Sequence, residues 1–383
     1  MVNVFIVGSK GIPARYGGFE SFVENLVREK VHSGIKYHVA CLKDSKEDYD
    51  YCGARCFCCY VKHFGRSKAV IYDLLSLAES IRYIKKNKLH NSIIYILACR
   101  IGPFMWLFKG ELKKMGIRIY INPDGHEWLR SKWNRLIRRY WKLSESLMVR
   151  HADLVICDSK QIEKYIKGYY RKISPHTIFI PYGADTKTNY TQEVNDRFIA
   201  WCKENGISRK EYYLMVGRFV PENNYETVIK EFMQSRTEKK LVIITNKEPK
   251  FYNKLKSKIP FDTDKRICFA GTVYDSELLK QIRMNAYAYI HGHEVGGTNP
   301  SLLESMAATD LNILLNVPFN QEVGKNAALY FNKNSGSLKR VLEQADTLSY
   351  GQIQRYGKKC KERIKSVYLW DAIIKKYEMV FLL

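Results

Sequence analysis

The sequence has no run of the ~20 predominantly apolar residues that a membrane-spanning helix needs. Its most apolar stretch, Ile93 to Phe108, is interrupted by Arg100 and Pro103, so no transmembrane span is expected. The opening residues, Met1-Val-Asn-Val-Phe-Ile-Val7, lack a basic head and a small-residue cleavage site. A secretory signal is therefore not expected, and the chain is expected to stay in the cytoplasm, with its ten cysteines as reduced thiols. Acidic residues are scarce, 39 Asp and Glu against 63 Lys and Arg, for a net charge of +24. That imbalance implies an anionic partner, whether nucleic acid, an acidic membrane surface or a charged small substrate, without choosing among them. The Gly-x-Gly-x-x-Gly fingerprint is missing, which argues against a bound nicotinamide or flavin. No pair with zinc-finger spacing follows Cys52, Cys56, Cys58 and Cys59, whose other reading is a cysteine-rich strand region. Asp48-Tyr-Asp50 and Asp262-Thr-Asp264 sit in polar, turn-like surroundings, so no metal site is expected. Short repeats, low-complexity segments and recognised nucleic-acid motifs are also absent.

What is present is a long alternation. At 383 residues, 46% of them hydrophobic, the chain can bury two or three cores. Apolar strand-length runs are expected at Val2–Val7, Tyr37–Leu42, Ser92–Leu97, Ile117–Ile121, Leu154–Cys157 and Thr177–Ile180. A second series is expected at Tyr212–Val216, Leu241–Thr245, Ile267–Ala270, Ala288–His291 and Asn312–Leu315. Helical patterns separate them, which predicts an α/β chain of two Rossmann-like domains facing a central cleft. The turn Pro181-Tyr-Gly-Ala-Asp185 closes the first series and sets the domains at 1–183 and 184–364.

Open parallel sheets bind ligands at the carboxyl ends of their strands, so the loops there carry the candidates. In the second domain the run Ala286 to Ile290 enters a loop with Gly292, Gly296 and Gly297 and then a helix start at Asn299, Pro300 and Ser301. Unpaired amides and the helix dipole at such a start suit a diphosphate, and Glu304, one turn on, can reach nearby hydroxyls. The alternative is a well-capped β-to-α turn. Arg218, emerging after the strand at Tyr212–Val216, offers a planar guanidinium to the same anion. In the first domain Gly17 and Gly18 open a helix close to a possible ligand. Asp124, His126 and Glu127 ionise within one loop and are candidates for acid, base or sugar-hydroxyl acceptor. From Trp128 to Lys142 the chain carries Arg130, Lys132, Arg135, Arg138, Arg139 and Lys142 with Trp133, Tyr140 and Trp141 and no acid. That pattern suits an anionic bilayer or phosphorylated lipid; its alternative is a solvated basic helix.

Four stretches in order resemble one family: Gly11-Ile-Pro-Ala-Arg-Tyr-Gly-Gly-Phe-Glu20, Asn122-Pro-Asp-Gly-His-Glu-Trp128 with Arg130 and Lys132-Trp133, Val216-Gly-Arg-Phe-Val-Pro-Glu-Asn-Asn224, and Gly296-Gly-Thr-Asn-Pro-Ser-Leu-Leu-Glu304. The chain resembles the family 4 retaining glycosyltransferases of the GT-B fold, and among them the bacterial rhamnosyltransferases of capsule and cell-wall polysaccharide pathways. The resemblance implies that Gly17, Gly18, Glu20 and Arg130 line the acceptor side. It implies that Arg218, Gly297, Thr298, Asn299, Ser301 and Leu302 hold the donor diphosphate without a metal, and that Glu304 takes the ribose. Asp124, His126 and Glu127 are the catalytic candidates, and Trp133, Arg135, Arg138, Arg139 and Trp141 the membrane-facing ones. It also implies a C-terminal helix, residues 365–383, that packs back on the first domain. The expected reaction moves rhamnose from dTDP-β-L-rhamnose to a sugar on an undecaprenyl-diphosphate carrier at the inner face of the plasma membrane, with no cofactor and no nucleic acid. Two departures stand out: Asn223 replaces the family's Lys, and Gly296 replaces a Glu that handles the donor sugar's hydroxyls. They fit a deoxy sugar, with Glu294 as a possible substitute. The competing readings are a UDP-hexose transferase and a non-catalytic sugar-nucleotide-binding subunit.

Overall fold

The computed structural model describes residues 1–383 apart from 15–16, 44–46, 63–64, 131–132 and 187–190. Two units divide the chain: Met1–Gly183 with Trp370–Leu383, and Ala184–Leu369.

Among the described residues the first unit holds eight strands, β1 (Val2–Val7), β2 (Ile35–Leu42), β3 (Tyr49–Tyr51), β4 (Ala54–Cys59), β5 (Ser92–Leu97), β6 (Arg118–Asn122), β7 (Leu154–Cys157) and β8 (Thr177–Phe179). They lie in the order β3-β4-β2-β1-β5-β6-β7-β8. All but β3, which runs antiparallel to β4, are parallel to their neighbours. Every residue of β5 is buried, as a central parallel strand covered on both faces requires. The cysteine cluster resolves into β4 and the turn before it: Cys56 and Cys59 are buried apolar residues, and Cys52 is exposed. Among the described residues no group of three or more His, Cys, Asp or Glu is arranged to hold a metal.

The second unit contains β9 (Tyr212–Val216), β10 (Lys240–Ile244), β11 (Ile267–Gly271), β12 (Ala288–His291), β13 (Asn312–Leu315) and β14 (Leu329–Phe331). This sheet is wholly parallel, in the order β11-β10-β9-β12-β13-β14. The chain runs outward from β9 through β10 and β11, then returns to place β12 on the other side of β9. That reversal opens a crevice beyond the carboxyl ends of β9 and β12, the usual ligand position in such sheets.

The segment expected to form one terminal helix from 365 is divided. The helix Tyr350–Val367 belongs to the second unit, where Cys360 and Ile364 are fully buried and Arg363 Nη2 donates to the Glu322 carbonyl at 3.0 Å. Trp370–Leu382 is a separate helix of the first unit. Its Ile373, Ile374, Tyr377 and Phe381 are buried, and the Glu378 carboxylate accepts the Val31 amide at 2.8 Å. Gly183 leaves room for this return, since a Cβ there would lie 2.4 Å from the Trp370 ring. Among the described residues no helix is long and apolar enough to cross a membrane.

Candidate functional site

In the second unit the loops after β9 and β12 are stitched together. The Asn224 side chain donates to the Gly292 carbonyl at 2.9 Å, the Glu294 amide donates to the Glu222 carbonyl at 3.1 Å, and a Cβ on Gly292 would meet the Asn223 carbonyl at 2.4 Å. Arg218 stands exposed at the mouth of this pair. Asn223 donates its side-chain amide to the Arg218 carbonyl at 2.8 Å and so holds the turn that carries the arginine.

The helix Pro300–Ala308 begins as expected, with Pro at its first position and Asn299 as its cap. This capping corrects the expectation that all the early amides face an anion. The Ser301 amide is bonded to Asn299 Oδ1 at 2.9 Å and the Leu302 amide to the Asn299 carbonyl at 3.0 Å. Leu302 itself is a core side chain with no exposure. Both amides are thus bonded within the cap, and in the approach segment, Gly296 to Asn299, Gly297 is half-buried and Thr298 buried. Gly296 has φ +146°, a conformation L side chains rarely adopt, although a Cβ there would meet open space. Glu294 is engaged, with Oε1 2.6 Å from Lys333 Nζ and Oε2 3.4 Å from Asn224 Nδ2.

Beneath the helix start lies a polar core that the sequence reading had not assembled. The Tyr289 hydroxyl is 3.0 Å from Ser301 Oγ and donates to the Val216 carbonyl at 3.2 Å. Burial pushes the Tyr289 phenol up to about 12, so it stays a neutral donor. His291 and His293 stack at 4.2 Å; burial first and then His293 hold His291 well below the usual histidine range and therefore neutral. Glu304 keeps its side chain 45% exposed, yet Arg283 Nη2 lies 2.7 Å from its Oε2. No local spacing signals Arg283, because it comes from a different helix, Ser276–Asn285.

In the first unit the loops follow β1 and β6. Gly17 has φ +126°, and a Cβ there would lie 2.0 Å from Glu20 Oε2. Glu20 turns inward and accepts the Lys10 amide at 2.8 Å, so it braces its own loop. Gly18 is exposed at the first turn of the helix Gly18–Arg28. Arg15 and Tyr16 of this stretch lie outside the described residues. After β6, Asp124 and His126 both take left-handed backbone, φ 57° and 44°. The Asp124 amide is fixed by Asn122 Oδ1 at 2.8 Å, which leaves a partly exposed carboxylate at the strand end. Burial lowers the His126 imidazole, whose ring meets the edge of Tyr165 at 4.4 Å. Glu127 is committed to structure: one oxygen is ion-paired with Arg130, the other accepts the Trp133 indole at 2.9 Å. Arg130 is correspondingly buried rather than open to an acceptor.

The basic aromatic segment divides in the same way. Trp133 and Trp141 pack on each other with centroids 5.9 Å apart, and Arg138 Nη2 donates to the Arg130 carbonyl at 3.3 Å. Lys142 is turned inward, 3.3 Å from Glu145 Oε1 and 3.7 Å above the Tyr169 ring; burial lowers its ammonium and Glu145 opposes that. The exposed residues of the helix Arg135–His151 are Arg135, Leu136, Arg139, Leu143 and, at its far end, Arg150. Trp106 and Leu107 are exposed on the helix Met105–Lys114, which packs against it. Lys132 lies outside the described residues.

Comparison with known proteins fits this division. Residues 1–185 match the family profile described as a domain of unknown function, DUF1972, and residues 198–363 the profile described as glycosyl transferases group 1. Comparison with curated proteins found no match. Among solved structures, sucrose-phosphate synthase from Thermosynechococcus elongatus is similar with a TM-score of 0.81 at 16% identity, covering 100% of this chain and 98% of that one. Anabaena HepE in complex with UDP gives 0.72 at 12% identity, covering 100% of both chains. A glycosyltransferase from Rickettsia africae gives 0.73 at 14%, covering 99% of this chain and 97% of that one. The chain therefore has the two-domain GT-B fold, and its residues 198–363 match the glycosyl transferases group 1 profile.

Proposed function

We propose that the protein is a retaining glycosyltransferase that moves L-rhamnose from dTDP-β-L-rhamnose to a sugar on an undecaprenyl-diphosphate carrier, with retention of the β configuration. The observation that carries the reading is that the end of β9, which leads into exposed Arg218, lies against the helix start that follows the Gly296–Asn299 approach and carries exposed Glu304, with Ser301 Oγ 3.5 Å from the Val216 carbonyl. Arg218 and the approach segment bind the diphosphate, and Glu304 accepts from the nucleoside sugar. The left-handed Gly296, in place of a hydroxyl-binding glutamate, favours a deoxy sugar over a hexose. Asp124 orients or deprotonates the acceptor hydroxyl, a role for which the ion-paired Glu127 is less suited. The outward Arg135, Arg139, Leu136 and Leu143, with Trp106 and Leu107, rest on the anionic inner face of the plasma membrane, where the acceptor resides.

The test is transfer itself. Purified protein is incubated with a synthetic lipid-linked sugar and, separately, dTDP-rhamnose, UDP-glucose, UDP-galactose and UDP-N-acetylglucosamine, and products are analysed for mass and anomeric configuration. A β-rhamnosyl product from the dTDP donor is expected. Transfer of a hexose alone would move the assignment to a UDP-hexose transferase, and nucleotide-sugar binding without any transfer to a non-catalytic subunit.

A further inference from the structure

The Arg283 side chain is only 5% exposed, although none of the ligand-facing loops contains it. A buried guanidinium is costly unless paired, so its partners define its use. Nη2 lies 2.7 Å from Glu304 Oε2 and 3.3 Å from Ser301 Oγ. The backbone is anchored too, for the Thr309 hydroxyl donates to the Arg283 carbonyl at 2.8 Å. Glu304 is therefore divided, with one oxygen on a buried cation while the side chain as a whole stays 45% exposed. A free glutamate on a helix surface samples several rotamers; one held from beneath loses that freedom before a ligand arrives.

We infer that Arg283 is the positioning residue of the donor site. It orients Glu304 so that the outer part of the carboxylate accepts a hydroxyl of the nucleoside sugar, and Arg283 itself touches no ligand. The inference rests on the donor-site reading above and adds a residue on which hydroxyl recognition depends.

Calorimetry on the full chain tests it with dTDP and UDP, each beside its analogue lacking the 3′-hydroxyl. Wild type is expected to bind at least one parent nucleotide about tenfold or more tighter than the analogue, the loss typical of a hydrogen bond to a charged group. Arg283→Met should bring that ratio close to one while binding the 3′-deoxy analogue within about threefold of wild type. Arg283→Lys should give an intermediate ratio, and it decides the matter if the methionine variant does not fold. A merely structural arginine would weaken parent and analogue in step; an unchanged ratio in the folded variants overturns the inference. Wild type that binds parent and analogue equally overturns the Glu304 role and this inference together, leaving the diphosphate elements standing. Wild type that binds neither nucleotide overturns the donor-site reading as a whole.

Discussion

Replacing Phe381 by Ala probes how far the first unit depends on the chain's return. Phe381 has no exposed surface, and it packs among Tyr37, Tyr95, Tyr120 and Tyr377 at centroid distances of 6.3, 5.9, 6.3 and 6.0 Å. Truncating a fully buried Phe costs about 3–5 kcal/mol through lost transfer energy and the residual cavity. Against a typical total of about 5–15 kcal/mol, that is a large share of one unit's stability. Two units need not unfold together, so the readout is hydrogen exchange at the amides of β1 and β5, which reports the opening of this sheet. Those amides should lose about 3–5 kcal/mol of protection. Met379→Ala, on the same helix but 67% exposed, should change it by no more than about 0.5 kcal/mol. A loss below about 1 kcal/mol for Phe381→Ala, or equal losses for both variants, would refute the packing argument. Removing everything after Leu369 deletes Ile373, Ile374, Tyr377, Val380 and Phe381 from the core. At about 1.5–3 kcal/mol each, their loss approaches the whole stability of the unit, so the truncated first unit should not fold.

Arg218→Ala and Glu304→Gln should each weaken nucleotide binding by about 1.5–3 kcal/mol in calorimetry; wild-type affinity in both variants would show the donor site misplaced. Asp124→Asn keeps a residue that tolerates left-handed backbone, so a fold-preserving fall in kcat on the order of 10²–10⁴ with donor affinity unchanged is expected. Near-normal turnover would make Asp124 a turn residue. Changing Arg135 and Arg139 to Gln and Leu136 and Leu143 to Ser should abolish cosedimentation with anionic liposomes, each cation contributing about 1 kcal/mol and salt weakening the attachment; undiminished binding would remove the membrane proposal. His38 is held down to about 3 by burial, then by Arg55 and Lys36. An unfolded histidine takes its proton near pH ~6.5. The unfolded chain therefore binds that proton first, and the His38 contribution, full above about pH 6.5, is lost progressively down to about 3. His38→Gln should flatten the fall in stability between about pH 7 and 5; an unchanged slope would place the acid sensitivity elsewhere.

Most of the fold could be read from residue order, because the central strands are buried on both faces and carry continuous apolar runs. β1, β5, β9, β12 and β13 begin and end where those runs do. The strands that escaped are β3 and β14, and β4 was foreseen only as the alternative reading of the cysteine cluster. β3 and β14 are three residues each, and β4 is built of cysteines with Arg55 and Phe57, so their pairing partners rather than their composition make them strands. The helix start at Asn299 and Pro300 was legible for a local reason, since cap and proline act within one turn. The division at Trp370 was not, because the apolar spacing runs on through Tyr368, and only the burial of Ile364 and Cys360 in one unit and of Tyr377 in the other separates the two helices.

Which side chains face a ligand is a different kind of information. A sequence names ionisable residues in a loop; their partners arrive from elsewhere in the chain. Glu127 could be listed as an acid, but its pairing with Arg130 and Trp133 takes it out of solution. Lys142 belongs to a basic run, yet Glu145, Trp128 and Tyr169 draw it inward. Arg283 carried no motif, and its contact with Glu304 exists because two helices that flank β12 bring them together. Hydrophobic periodicity and turn chemistry act over a few residues and survive in the linear order, whereas charge pairing across helices depends on a packing that only the folded chain supplies.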